Sequence, residues 1–149
     1  MTSARAPRQR RADYRAFVPI TSRWSDNDMF GHLNNAVYYS YFDSAVTSWL
    51  FGSRLPADGS RLFFVAETAC RYLTEVRFPD RIEVGLRIGR LGTSSVAYEI
   101  GIFRNDEDEA AADGLFVHVH IDPETRRPKP LDDEAKAVLR TITIKGAEA

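Results

Sequence analysis

The stretch from Arg23 to Leu50, RWSDNDMFGHLNNAVYYSYFDSAVTSWL, decides how the chain is read. Its second half sets Tyr38, Tyr41, Phe42, Ala45, Val46, Trp49 and Leu50 at offsets of three and four, the spacing that gathers apolar side chains on one face of an α-helix. The pattern predicts a helix over residues 35–51 that Gly52 can terminate. Asn34 or Asn35 suits its cap, because a short side-chain oxygen accepts from the amides of a first helical turn. The first half crowds Asp26, Asp28, Gly31, His32, Asn34 and Asn35 in front of that helix. Small polar groups there are either turn and capping residues or chemistry.

Outward from this helix the period changes. On its N-terminal side, Tyr14, Ala16, Val18 and Ile20 alternate, predicting a first strand within Asp13–Thr21, interrupted near Pro19. On its C-terminal side the period is two, with strands expected over Leu62–Leu73, Ile82–Leu91, Ser94–Phe103 and Ala110–Ile121. Turn signals separate them at Phe78-Pro79-Asp80, Leu91-Gly92-Thr93, Asn105 to Glu109 and Asp122-Pro123. Leu131–Arg140 reads as a short closing helix, with acids at its start and Arg140 at its end as the helix dipole favours. A strand, a long helix and then strands linked by short turns predict an α+β layer pair, an antiparallel sheet with the helix on one face.

The 149 residues are 44% hydrophobic and 11% aromatic, enough for one core and one domain. Residues 1–12 carry four arginines and read as a flexible N-terminal tail, residues 13–141 as the domain, and residues 142–149 as a flexible C-terminal tail. With 20 basic against 21 acidic side chains, no general electrostatic attraction to nucleic acid or an anionic membrane is expected. Cys70 is the only cysteine, which excludes an intrachain disulfide. With no secretory signal and no membrane-length apolar run, the expectation is a soluble, cytoplasmic protein.

Among the candidates for chemistry, Asp28 stands three residues before Gly31 and close to a helix start, where unpaired backbone amides can stabilise a negative oxygen. A carboxylate beside such an amide is the minimal equipment for acyl-group hydrolysis, since one attacks or deprotonates water while the other holds the oxyanion. Gly31 fits a loop needing positive φ, or close passage of a ligand against bare backbone. His32 reads as a hydrogen-bonding spacer or a base. His118 and His120 share one strand face as a candidate metal pair, with too few further ligands for zinc. Asp43 and Glu67 are acids within apolar elements, structural or catalytic. Arg87, Arg90, Ser94 and Ser95 bracket one turn, a solvated strand end or a phosphate site. A serine-nucleophile elbow and a dinucleotide fingerprint are both absent from the sequence.

Taken in order, residues 23–35, then Tyr38 and Tyr41-Phe42-Asp43, resemble the signature of the hotdog-fold acyl-CoA thioesterases of the 4-hydroxybenzoyl-CoA thioesterase type. Val65-Ala66-Glu67 leading into Arg71-Tyr72-Leu73, then Phe78 to Val84, Arg90 to Ser95 and Asp122 to Pro128 follow as weaker landmarks, so that the likeness spans about residues 14–140. The resemblance implies a long helix wrapped by a curved antiparallel sheet, homodimers joined sheet edge to sheet edge, homotetramers of two such dimers, and active sites at the dimer interface. It implies hydrolysis of an acyl-CoA or acyl carrier protein thioester, with no metal and no cofactor, coenzyme A being part of the substrate. By position, Asp28 matches the catalytic aspartate, as nucleophile or general base, and the Asn35 amide matches the oxyanion donor. Gly31 and His32 would line the substrate, and Arg90, Ser94 and Ser95 fall where relatives contact the nucleotide of coenzyme A. Two departures stand out: Asn35 replaces the tyrosine or histidine of several relatives, and Arg71, free to pair with Glu67, sits where many have acid and proline. A non-catalytic acyl-CoA or acyl carrier protein binding module is the alternative; a dehydratase would want an acid–histidine pair, for which only His32 is near.

Overall fold

The computed structural model describes residues 7–52 and 54–149. Strand β1 (Ala16–Ile20) is followed by helix α1 (Asn35–Phe51), then β2 (Leu62–Tyr72), β3 (Ile82–Leu91), β4 (Ser95–Arg104), β5 (Ala112–Ile121) and helix α2 (Asp133–Arg140). The strands form one antiparallel sheet in the order β1-β3-β4-β5-β2. The seven residues expected on one face of α1 are its buried residues. They pack on the inward side chains of β3 and β4, where Val84, Leu86, Ile88, Val96, Ile100 and Ile102 are fully buried. A long helix held against a five-stranded antiparallel sheet is the hotdog fold.

Close approach of helix and sheet depends on Gly114. A Cβ there would lie 2.4 Å from Phe42 Cε2 and 2.5 Å from the Ala69 carbonyl oxygen. The opposite face of the sheet also has a glycine seat. Gly85 and Gly101 face each other across β3 and β4, and the Tyr14 ring lies so close that a Cβ on either would come within 2.8 Å of it.

That seat corrects the expectation of an N-terminal tail for residues 7–12; residues 1–6 lie outside the described part. The Gln9 carbonyl accepts from Ala110 N–H at 2.9 Å, Arg8 donates to the Leu73 carbonyl at 2.9 Å, and Arg11 bonds Glu83 at 2.7 Å. The arginines suggest a solvated tail only while their partners are unseen. Asp108 and Glu109, in the acidic turn before β5, meet Arg10 at 3.0 and 3.2 Å. Asp13 also closes a 3-10 turn over Arg11–Asp13 by accepting from Arg10 N–H, which shortens the first strand to start at Ala16.

Residues 142–149 are likewise not loose. β1 reaches only as far as Leu86 along β3, and a bulge follows between Ile88 and Arg90. The unpaired edge of β3 would expose backbone donors and acceptors. Ile144 N–H donates to the Ile88 carbonyl at 3.0 Å, Leu91 N–H to the Ala147 carbonyl and Ala149 N–H to the Leu91 carbonyl, both at 2.9 Å. Ile142 is buried beneath.

The suggested metal pair is part of the core. The Phe63 ring lies 5.1 Å from His118 and 5.2 Å from His120, and His120 Nδ1 is 3.0 Å from the Lys129 carbonyl oxygen. Among the described residues no three His, Cys, Asp or Glu side chains converge as metal ligands. Burial pushes the His118 imidazole down to about 4 from its usual 6.5. Below pH 6.5 the unfolded chain takes up a proton that the folded chain refuses, so stability falls between about pH 6.5 and 4, by up to about 3 kcal/mol. Urea midpoints across that range are expected to drop with acid, and His118→Phe to flatten the drop; an unchanged slope in the variant refutes the assignment.

Candidate active site

Residues 23–34 fold into a small hairpin that ends at the helix. A 3-10 turn over Trp24–Asp26 leads into an antiparallel bridge between Asn27 and Leu33, so that residues 28–32 form the tip. Asp28 N–H donates to the His32 carbonyl at 2.9 Å, and Gly31 N–H to the Asp28 carbonyl at 3.1 Å. Gly31 has φ +85° with nothing within 4 Å of a built Cβ. Backbone conformation, not crowding, is what requires glycine there.

The tip is anchored on both sides. Leu33 is fully buried and donates its N–H to the Val76 carbonyl at 2.8 Å, while the Asn27 side chain accepts from Phe78 N–H at 3.0 Å. Asp28 Oδ1 accepts from Phe30 N–H at 2.8 Å, and Oδ2 lies 3.8 Å from His32 Nδ1. The Asp28 side chain keeps 18% of its surface exposed. Met29 and Phe30 are 91% and 75% exposed, with the Phe30 ring stacked over His32.

Asn34 caps α1. Its Oδ1 accepts from Ala36 N–H at 2.9 Å and its carbonyl from Val37 N–H at 2.9 Å, while its own N–H donates to the Asp26 carbonyl. The Asn35 amide stands between these satisfied groups, in the first turn where no intrahelical acceptor exists. Asn35 borders a cleft of about 250 Å3 whose walls also include His32, Leu33, Tyr38, Tyr72 and Thr74. Tyr72 spans the cleft, donating its hydroxyl to the Asn35 carbonyl at 2.9 Å. Burial first, then Cys70 and least of all Asp28, push the Tyr38 phenol up to about 12. The hairpin carries the Asp28 carboxylate, leads into the dipole-positive end of α1 and borders the cleft through His32 and Leu33, while Asp28 itself is not among the residues lining that cleft.

Residues 22–139 match the model of the thioesterase-like superfamily. The chain belongs to the thioesterase-like superfamily. The crystal structure of the PA5185 protein of Pseudomonas aeruginosa superposes with a TM-score of 0.88 at 41% identity, covering 93% of this chain and 99% of that one. A thioesterase of Thermus thermophilus complexed with coenzyme A and Zn superposes with a TM-score of 0.74 at 32% identity, covering 87% and 94% of the two chains. Among curated proteins, YsmA of Bacillus subtilis, itself uncharacterized, is 27% identical over 124 residues, 83% of this chain and 84% of its own.

Not every residue singled out in this thioesterase-like chain gathers at the hairpin. Arg90, Ser94 and Ser95 sit at the other end of the sheet. Tyr72, which touches the cleft, pairs with Ala112, whereas Ser95 pairs with Val119, seven residues further along β5. At about 3.4 Å per residue that is about 24 Å. The Ser94 carbonyl accepts from His120 N–H at 2.7 Å and the Thr93 carbonyl from Leu131 N–H at 2.9 Å, so this turn flanks residues 122–130. Sequence reasoning missed the cations of that loop, Arg126, Arg127 and Lys129, although the run RRPK was there to be seen. Arg126 lies over the Phe64 ring at 5.8 Å. Among the described residues, neither these three nor Arg90 forms an ion pair.

Arg87 is engaged elsewhere, with Glu99 at 3.0 Å. Arg71 pairs with Asp113 across β2 and β5 at 2.8 Å, not with Glu67, because residues 71 and 113 are cross-strand partners. Glu67 follows a bulge on β2 and is exposed, as is Asp43 on the outer side of α1.

Proposed function

We propose that this chain is an acyl-CoA thioesterase of the 4-hydroxybenzoyl-CoA thioesterase type, cleaving a thioester to a carboxylic acid and free coenzyme A. Asp28 serves as nucleophile or general base, and the Asn35 amide donates to the oxyanion. The reading rests on one observation above all: the Asp28 hairpin is hydrogen-bonded directly to the cap of α1, in a chain of the thioesterase-like superfamily. As Asp28 attacks the carbonyl carbon, or takes a proton from the attacking water, charge develops on the carbonyl oxygen, and the helix-end amide stabilises it. The sulfur then leaves as thiolate and is protonated from water; where Asp28 itself has attacked, a water then cleaves the resulting aspartyl anhydride, releasing the carboxylic acid and restoring the Asp28 carboxylate. Gly31 and His32 border the substrate, and apolar Met29 and Phe30 flank the reacting carboxylate. The proposal needs no metal or redox cofactor, coenzyme A being part of the substrate.

The cation group Arg90, Arg126, Arg127 and Lys129, with Ser94 and Ser95, suits the phosphates of coenzyme A. Within one chain it lies too far from Asp28, and a homodimer resolves the distance. Strand β2 is at the sheet edge, with Phe64, Val65 and Tyr72 exposed along it. A second copy pairing antiparallel along β2 brings the Phe64 end of one strand beside the Tyr72 end of the other. Sedimentation is expected to give twice the mass of one chain, and Val65→Lys to shift it towards monomer with loss of activity. A monomer that keeps full activity overturns the dimer.

The activity itself is tested by incubating the purified protein with hexanoyl-, palmitoyl- and benzoyl-CoA and following free thiol. Release from at least one is expected. Saturable binding of all three without thiol release would establish the non-catalytic acyl-CoA binding module instead.

A further inference from the structure

Asp26 is the buried acid of the described residues, 3% exposed. Its Oδ2 accepts from Arg23 N–H at 2.9 Å and from the Tyr41 hydroxyl at 2.8 Å, and its Oδ1 accepts from the Arg23 guanidinium at 3.0 and 3.3 Å. Burial alone would raise this carboxyl, but the bonds from Tyr41 and Arg23 outweigh it and hold the group low, so it stays ionised. Arg23 is mostly exposed and its charge is screened by solvent, whereas the Tyr41 bond is buried and charge-assisted.

The partners of Asp26 matter more than their number. Tyr41 belongs to the second turn of α1, and the Asp26 carbonyl holds Asn34, the cap of the same helix. Two residues after Asp26 comes Asp28, and one residue after Asn34 comes the Asn35 amide. The side chain of Asp26 therefore fixes the hairpin to the body of the helix while its main chain fixes it to the helix end. A simple turn cap would need only the Arg23 N–H bond.

We propose that the Asp26–Tyr41 pair is a positioning device that sets the spacing between the Asp28 carboxylate and the Asn35 amide, an inference that rests on the function proposed above. Displacement of a reacting group by about 1 Å can cost about a hundredfold in rate. Without the Tyr41 hydroxyl, the Asp26 carboxylate keeps only Arg23 as donor, at the solvent boundary. The hairpin then loses its side-chain tie to the body of the helix and is held by its main-chain bonds to Asn34 and Val76 and by the Asn27–Phe78 bond, which leave its spacing from the helix end less closely fixed.

The test compares Tyr41→Phe, Asp26→Asn, Asp28→Asn and Tyr98→Phe on whichever of hexanoyl-, palmitoyl- and benzoyl-CoA the parent hydrolyses fastest, well below each melting temperature. Tyr98 is the control, a fully buried phenol with no hydrogen-bond partner among the described residues. Tyr41→Phe and Asp26→Asn are each expected to lower kcat tenfold or more with KM within twofold, and the double variant to be no worse than the poorer single one, because the two act as a unit. Tyr98→Phe is expected to keep kcat. If Asp28→Asn abolishes turnover but Tyr41→Phe stays within twofold of the parent, the positioning role is overturned and the proposed function stands. If Tyr98→Phe lowers kcat as much as Tyr41→Phe, the effect is general loosening and the role is again overturned. If Asp28→Asn turns over like the parent, both fall together.

Discussion

Asp28→Asn is expected to lower thiol release from acyl-CoA by about a hundred- to ten-thousandfold, the range over which a positioned acid–base group contributes. The amide cannot act as a base at neutral pH and is a poor nucleophile, yet it retains an oxygen for Phe30 N–H, which Asp28 Oδ1 now holds at 2.8 Å. The hairpin tip therefore persists, and loss of rate reports chemistry, not unfolding. Asp28→Ala removes that acceptor as well, so it is expected to lose the same activity and to show a lower melting temperature. The free-thiol assay at saturating substrate separates these effects from altered affinity. Turnover like the parent in both variants would remove Asp28 from the mechanism, and with it the reason for placing the reaction at this helix end.

The largest effect on stability is expected at the contact between helix and sheet. Phe42 is fully buried, and truncating it to alanine is expected to cost about 3–5 kcal/mol. The other side of the contact fails by overpacking. Gly114→Ala puts a methyl group against the Phe42 ring and the Ala69 carbonyl, and about 1–3 kcal/mol is expected. Since both changes act on one space, they should not add: removing the Phe42 ring relieves part of the Gly114→Ala penalty, while the rigid Ala69 carbonyl keeps the rest. Urea denaturation of the two singles and the double measures the coupling. Strict additivity would mean that the ring and the glycine do not share that space.

The elements most legible in the sequence are those whose signal is local. The offsets from Tyr38 to Leu50 gave α1 both its ends, Asn34 acts as the cap, and β3 begins at Ile82 and ends at Leu91 as the alternation indicated. What stayed hidden was pairing between distant residues. Arg10 meets Asp108 from 98 residues away, Arg71 prefers Asp113 to the nearby Glu67, and Ile144 returns to Ile88. None of these leaves a periodic trace. Asp26 illustrates the boundary well: its turn-capping bond to Arg23 follows from spacing, but its bond to Tyr41 appears only once the helix has been laid against the hairpin.

The pairing of residues 143–149 with β3 bears on how large an assembly can become. Each end of a sheet invites another sheet to dock. Here one end is spoiled as a template: β1 is five residues long with Pro19 within it, and the stretch of β3 beyond it is already occupied by residues 143–149. The other end, β2, is eleven residues long and open. With only one open rim per molecule, growth by strand addition alone would stop at two copies, without any need for repulsive charge.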